Sequence, residues 1–396
     1  MARTRPFVAG ATIIALATLM SACTPAASSP TPTVAPTPSE TAGPVVDRPE
    51  SVFGVACDDL VDSRELQSFI GVGVSAITLI DPADRVLTVT PDDAARDQIG
   101  SLVCDWNDGQ QAASPWGPPP DPRQSVRLSL VADAEEAAQR YVDTYASAEI
   151  DTPYGPTAQG PRCIGIDDAM PTGYCELHGW LSNAWIDFTV SGLVTDGYAS
   201  DAELLDAFMM FTDELVATLD DVETTEAWAP PVSPNPVSDC ASVLTTDDVV
   251  ELTGITNVFV GPSWDGPRIG QYSYAADTEQ AMRCSFNFRD ADGWFGAAHV
   301  LPEGAWGFDT ASPTWLADGE ASDVDGLEAG DAVIRCADPA DTCTLDMRVA
   351  GHWIRVEVMP PPPADVGYVP AGIDFEAARA AVVPIAERIV ANIMAD

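Results

Sequence analysis

The chain has 396 residues and a formal net charge of −43, from 18 basic and 61 acidic side chains, and every basic residue is arginine. So acidic a surface repels nucleic acid and anionic lipid headgroups at close range, which excludes both as direct partners of the folded part. The length fits two or three domains, and a hydrophobic content of 46% is enough to build real cores.

In chain order, Arg3 and Arg5 form a short positive region ahead of an apolar run at 7–20. That run has the length of a signal peptide and is too short to span a bilayer comfortably. It ends in Leu19-Met20-Ser21-Ala22-Cys23, which resembles a bacterial lipobox, with Met20 where the pattern usually has leucine. The resemblance implies removal of residues 1–22 and acylation of Cys23, so that the mature protein is lipid-anchored at the extracytoplasmic face of the cell membrane. Residues 23–50 are rich in Pro, Ser, Thr and Ala and cannot pack a core. As extended polyproline II they form a tether reaching on the order of 80 Å.

A fifteen-residue stretch follows that occurs twice without a gap, CDDLVDSRELQSFIG at 57–71 and CASVLTTDDVVELTG at 240–254. Ser63 and Thr246 stand where helix N-caps belong, and Gly71 and Gly254 where helices stop. Each stretch therefore reads as the opening helix of a domain. With Cys23 lipidated, eight cysteines remain: Cys57, Cys104, Cys163, Cys175, then Cys240, Cys284, Cys336 and Cys343. They fall four and four at similar spacing, which in an exported chain reads as a disulfide framework. Four cysteines allow three connectivities. The short, turn-rich insert of CADPADTC at 336–343 places its cysteines on facing positions of a hairpin. This selects Cys163–Cys175 and Cys336–Cys343, hence Cys57–Cys104 and Cys240–Cys284. A tetrahedral zinc site would need C-x₂₋₄-C pairs, which are absent. In the chain-entropy model the long loops contribute about 4 kcal/mol each and the short ones roughly 2.5–3.

The repeat continues past the cysteines. Trp106 and Phe286 each follow a cysteine by two residues, as inward-facing strand residues do. Alternation at 125–131 predicts a strand, and 133–148 an amphipathic helix. In the second copy the place of that helix is taken by 294–331, read as a loop rich in Trp, Gly, Ala and Asp. Strands at 185–190 and 353–358 and closing helices at 201–219 and 375–394 complete each copy. The fold class predicted is α+β, with two tandem homologous domains at 51–225 and 239–396. Each is a mostly antiparallel, disulfide-stapled sheet with helices packed on one face, and a proline-rich linker at 226–238 joins them.

This order of a Cys–helix–Gly stretch, a Cys-x-Trp/Phe strand and a cysteine pair before a Trp-bearing strand resembles a group of actinobacterial lipoproteins of unknown function. The segment at 326–332 resembles the Gly-Leu-Gly-Asp-type segment of that group. More distantly, the pattern is similar to extracytoplasmic sensor domains of actinobacterial receptor kinases. The resemblance implies a fold and a surface-binding role, and brings no catalytic residues.

No nucleophile elbow, H-E-x-x-H, P-loop or dinucleotide fingerprint occurs, and no cofactor or metal site is expected. His178, His299 and His352 have no counterparts in the other copy and are expected as surface or hairpin residues. The acid pairs at 58–59, 92–93 and 167–168 are ordinary in so acidic a chain. An acid-dense stretch with Asp318, Glu320, Asp323, Asp325 and Asp331 fails the EF-hand pattern, because Ala321 and Ala332 stand where acids are needed. The expected ligand region is the 294–331 loop, through Trp294, Trp306, Phe308, Trp315, Asp323 and Asp325, with aromatics that suit a sugar or a cation. Trp116 sits in a second Pro-rich loop. The function expected is a lipid-anchored binding or sensing lipoprotein without catalytic activity, for a small-molecule, glycan or protein ligand. The alternatives are a structural or assembly factor of the cell wall and a divergent extracellular hydrolase.

Overall fold

In the first half, a short turn of helix α1 (Cys57–Leu60) leads into α2 (Ser63–Ile70), β1 (Thr78–Leu79) and α3 (Pro91–Gln98). Then come β2 (Leu102–Asn107), β3 (Ser125–Ala132), α4 (Glu135–Tyr145), β4 (Ala158–Ile164), β5 (Gly173–Leu181), β6 (Ala184–Leu193) and α5 (Asp201–Leu219). The second half repeats the series: α6 (Cys240–Val243), α7 (Thr246–Thr253), β7 (Val258–Pro262), α8 (Gln271–Thr278), β8 (Met282–Phe288), β9 (Trp294–Leu301) and α9 (Ala305–Ala317). It ends with β10 (Ser322–Asp323), β11 (Ala332–Arg335), β12 (Cys343–Val349), β13 (His352–Val358), α10 (Phe375–Ala380) and α11 (Val382–Ala395). This computed structural model describes residues 49–71, 78–79, 90–108, 124–145, 153–166, 172–229, 232–233, 235–262, 270–290, 293–317, 322–324, 327, 331–336, 342–359 and 374–395. The expected signal peptide and Cys23, nearly all of the expected tether, Trp116, the acid pair at 167–168, Asp318, Glu320 and Asp325 lie outside them.

The first sheet runs β1-β2-β3-β6-β5-β4 and the second β7-β8-β9-β13-β12-β11, with β10 added at its edge. Strand for strand the order is the same, and every pairing is antiparallel. The protein is therefore an α+β two-domain fold. The repeat extends to backbone positions with positive φ. Asp133 (53°) corresponds to Glu303 (54°), and the hairpin pair Ser182–Asn183 (50°, 62°) to Ala350–Gly351 (50°, 92°). All four disulfides form with the pairing expected: Cys57–Cys104, Cys163–Cys175, Cys240–Cys284 and Cys336–Cys343. Cys163 and Cys175 face each other directly across β4 and β5.

Local chemistry explains the element ends. The caps expected at Ser63 and Thr246 lie one residue earlier. Asp62 accepts from the amides of Arg64 and Glu65, and Thr245 forms a capping box with Asp248. The two hydroxyls instead brace the opening helices. Ser63 Oγ accepts from Trp106 Nε1 at 2.9 Å, and Thr246 Oγ1 from the Val260 amide at 3.0 Å. The closing helix of the second half breaks into α10 and α11, because Pro384 has no N–H to give the Ala380 carbonyl.

The main core of each half lies on one face of its sheet. In the first half α2 and α5 cover it, with Leu66, Ile70, Phe188 and Phe208 at 0% exposure. In the second α7 and α11 do the same over Phe286, Phe295 and Ile385. The opposite face of each sheet carries a thinner layer. On the first sheet α4 packs Ala138 against Val131 and Trp185. On the second, α9 packs Trp306, Phe308 and Trp315 against Leu301 and Trp353. The segment 305–317 is thus a helix, where the sequence predicts a loop. Gly307, Ser312 and an internal Pro313 weaken its helical signal. Burial of its apolar side overrides that weakness. Gly307 is required there, since a Cβ would lie 2.7 Å from Trp353 Cε3.

This second layer also ties the halves together. α3 belongs to the first half but buries Ala94 and Ala95 in the second half's α9 layer. α8 belongs to the second half and reaches the first sheet, where Gln271 Nε2 donates to the carbonyls of Trp185 (2.7 Å) and Ser129 (3.2 Å). The helices meet each other, with the Arg96 guanidinium 3.8 Å from the Tyr272 ring centre and Tyr272 OH donating to Asp93. Val46–Asp396 is one compact unit.

Candidate functional site

The aromatic residues expected to take a ligand are committed to packing. Trp306, Phe308 and Trp315 are 3%, 2% and 0% exposed. Trp306 Nε1 donates to Gln98 Oε1 from α3, and the Trp315 ring lies 4.3 Å from the Arg335 guanidinium. Trp294, at the start of β9, is half-buried with Arg283 stacked 4.7 Å from its ring centre. The cation expected over these rings is therefore the chain's own arginine. Asp323 lies on the edge strand β10, opposite Val333. For Trp306, Phe308 and Trp315 the ligand-loop assignment is corrected: these rings are core. The sequence offered one sign of this, since 308, 311 or 312 and 315 follow a helical spacing.

The histidines are buried, not surface residues, though His352 does sit at the β12–β13 hairpin as expected. In the first half, His178 on β5 lies between two carboxylates: Nε2 is 3.2 Å from Glu176 Oε2 and Nδ1 is 3.2 Å from Asp187 Oδ1. Burial opposes a charged ring, but the hydrogen bonds to Asp187 and Glu176 outweigh it and push the His178 pKa up to about 9. Burial likewise opposes the Glu176 charge, and hydrogen bonds from His178 and Tyr174 with the Arg162 charge hold its pKa down to about 2. Arg162 also pairs directly with Glu176. Tyr141 of α4 covers this cluster, with its ring centre 5.5 Å from that of His178. In the second half, His299 bonds Glu357 at 3.0 Å and faces Asp92 of α3 at 3.8 Å. Burial is again outweighed by these acids, and the His299 pKa is raised. His178 keeps its proton at neutral pH, acts as a cation within its ion pairs and is poorly poised as a general base. The acids around His299 favour its protonated form.

Asp346 replaces His178 at the matching place on β12, and Arg355 replaces Asp187 on β13. The cross-strand pair is kept with its charges exchanged. Asp346, 0% exposed, accepts from Arg355 Nε (2.7 Å), Arg335 Nη2 (2.9 Å) and Trp353 Nε1 (2.9 Å). Among the described residues, no group of three or more His, Cys, Asp or Glu side chains is arranged to hold a metal.

Among the described residues, one open corner lies in the first half. A cavity of about 300 Å³ lies where the β5–β6 hairpin, the β3–α4 junction and the end of α5 meet. Phe53 and Leu219 form a buried apolar floor, and Trp180 forms a half-buried wall. Asp133, Asn183 and Thr224 stand exposed at the rim. The corner is held rigidly. Ser182 Oγ donates to the Val216 carbonyl at 3.1 Å, and Tyr274 OH from α8 donates to the Asp133 carbonyl at 3.3 Å. Among the described residues the Asp133 carboxylate has no hydrogen-bond or ion-pair partner. An apolar floor, one indole and one unpaired carboxylate make a surface that can hold a ligand offering N–H donors or positive charge. Sequence reading passed over this corner. Its signals were an acid directly after a strand and a two-residue Ser-Asn turn.

No protein-family model matches the chain, and no curated protein matches it. Among solved structures, the chain has a weak likeness to DynU16, a protein of the dynemicin biosynthetic locus. The likeness has 11% identity over 81% of this chain and 97% of that one, and its TM-score of 0.14 carries no argument.

Proposed function

We propose that the protein is an exported, lipid-anchored binding protein of the extracytoplasmic membrane face, and that its ligand occupies the first-half corner. The observation that carries the reading is the cavity itself, rigidly framed and bearing a carboxylate that has no partner among the described residues. Four disulfides support an oxidising compartment outside the cytoplasm. The lipobox-like Cys23 and the proline-rich tether supply the anchor. The histidines support binding over catalysis, since His178 and His299 are engaged by carboxylates and His352 by backbone groups. The hydroxyl of Ser182 at the cavity donates to a backbone carbonyl, which is no base. The test is mass spectrometry of molecules that co-purify with the mature protein, wild type against Trp180→Ala. A species retained by wild type and lost from the variant is expected. Identical spectra would remove the corner as the binding site.

A further inference from the structure

The two corners are equivalent, and one of them is occupied by the chain itself. In the second half, Glu303 stands at the place of Asp133, Ala350 and Gly351 at the places of Ser182 and Asn183, and His352 at the place of Ala184. Two linker residues, Ser233 and Asn235, sit in this corner. The Ser233 amide donates to Glu303 Oε1 at 2.9 Å, and Ser233 Oγ donates to the Ala350 carbonyl at 2.7 Å. His352 completes the seat. Its Nδ1 accepts from the Glu303 amide at 3.3 Å, so Nε2 carries the hydrogen given to the Asn235 carbonyl at 2.7 Å. Asn235 Nδ2 reaches the Ile393 carbonyl at the end of α11, at 3.3 Å.

Among the described residues, the first half keeps the carboxylate and the hairpin carbonyl, and no segment hydrogen-bonds to the Asp133 carboxylate. The Ile393 end of α11 is matched by the Leu219 end of α5, which lines the cavity. We propose that the first-half corner binds an extended peptide carrying a Ser-Pro step, in the manner of the chain's own linker. This inference rests on the corner being a binding site and specifies its ligand. The peptide would give one backbone N–H to Asp133 and its serine hydroxyl to the Ser182 carbonyl. Its proline, which has no N–H to satisfy, would lie over Trp180 and Phe53. Ala184 in place of His352 removes the third anchor. The first corner therefore holds its peptide less tightly than the second holds the linker, as an exchangeable ligand requires.

The probe is a synthetic peptide of residues 231–237, PVSPNPV, titrated calorimetrically into the mature full-length protein, with choline chloride as a parallel small-cation probe. Saturable peptide binding is expected. Asp133→Asn should weaken it on the order of tenfold, by loss of a charge-assisted hydrogen bond. The peptide with alanine for serine should also bind several-fold more weakly. Asn tolerates positive φ, so Asp133→Asn keeps the fold, and unchanged thermal unfolding verifies this. Glu303→Gln, at the occupied corner, should leave peptide affinity unchanged. Peptide binding that ignores Asp133→Asn overturns the inference. Choline binding that depends on Asp133, with no peptide binding, overturns the peptide class and leaves the corner a binding site. No response to either probe, with no ligand recovered by mass spectrometry, removes both readings.

Discussion

Replacing Gly307 by alanine tests the whole second layer with one methyl group. The new Cβ would lie 2.7 and 2.8 Å from Trp353 Cε3 and Cζ3, and 3.3 Å from the Ala94 Cβ on the helix crossing from the first half. None of these can yield easily. Trp353 is 0% exposed with its Nε1 held by Asp346 at 2.9 Å, and Ala94 is 0% exposed on α3. Overpacking of this kind costs about 1–3 kcal/mol. Alanine recovers about 1 kcal/mol of helix propensity over glycine. The net expected is a destabilisation on the order of 1 kcal/mol, which lowers Tm by a few degrees in a chain of this size. Thermal and urea unfolding followed by tryptophan fluorescence would measure it. Were 305–317 a solvent-facing loop, the same change would be neutral or stabilising by reducing unfolded-state entropy. An unchanged or raised Tm would therefore refute the packing of α9, β13 and α3 described above. In a Trp353→Leu background, Gly307→Ala should cost less than it does in the wild type.

Asp346→Ala should cost about 3–5 kcal/mol in urea unfolding, since it removes the buried carboxylate that pairs with Arg355 and Arg335 and accepts from Trp353; a cost below 1 kcal/mol would mean the arginines reach water. His178 has a folded pKa above its ordinary 6.5, so its contribution is complete below about pH 6.5 and lost as pH rises through about 9. The loss is up to about 3 kcal/mol. Glu176 acts with the opposite sign, its contribution being complete above 4.5 and lost as pH falls toward 2. His178→Gln should flatten the alkaline arm of the stability profile between pH 6 and 9.5, and an unaltered arm would count against the ion-pair assignment. Residues 239–396 expressed alone in an oxidising compartment should unfold at a lower temperature than the full chain, because Ala94, Ala95 and Gln98 no longer cover the α9 layer. An equal Tm would show that the crossing helix contributes nothing.

Much of the fold was legible because cysteines and caps are local or strictly ordered signals. The matching order of eight cysteines led to all four bonds. The closing helix predicted at 201–219 coincides with α5, which Ser200 caps by accepting from the Glu203 amide. Two features hid the second layer. The α3 helix has a complete start signal, Thr90-Pro91-Asp92-Asp93, but it is short, and its apolar face is only alanine. In α9 the propensity signal points the wrong way, and only the Trp353 face of the sheet makes it helical. The charged clusters were illegible for a different reason. His178 meets Asp187 across two strands, and His299 meets Asp92 from the other half, so no sequence spacing reports either pair. The corner cavity depends on comparing two junctions, Asp133 with Glu303, whose roles differ only in whether a serine from the linker is present.

The reciprocal crossing of α3 and α8 has a consequence for how such a chain can exist in one copy. Each sheet leaves its second face unfinished and has it completed by a helix encoded in the other repeat. A single repeat, cut free, would present that face to solvent and offer its own crossing helix with no sheet to rest on. Two identical single repeats would satisfy both needs at once by trading helices about a twofold axis, a closed and self-complementary arrangement. The tandem chain has the arrangement of such an exchanged homodimer within one polypeptide, in which the two copies are free to differ. One corner could then be sealed by the junction peptide while its twin stayed open.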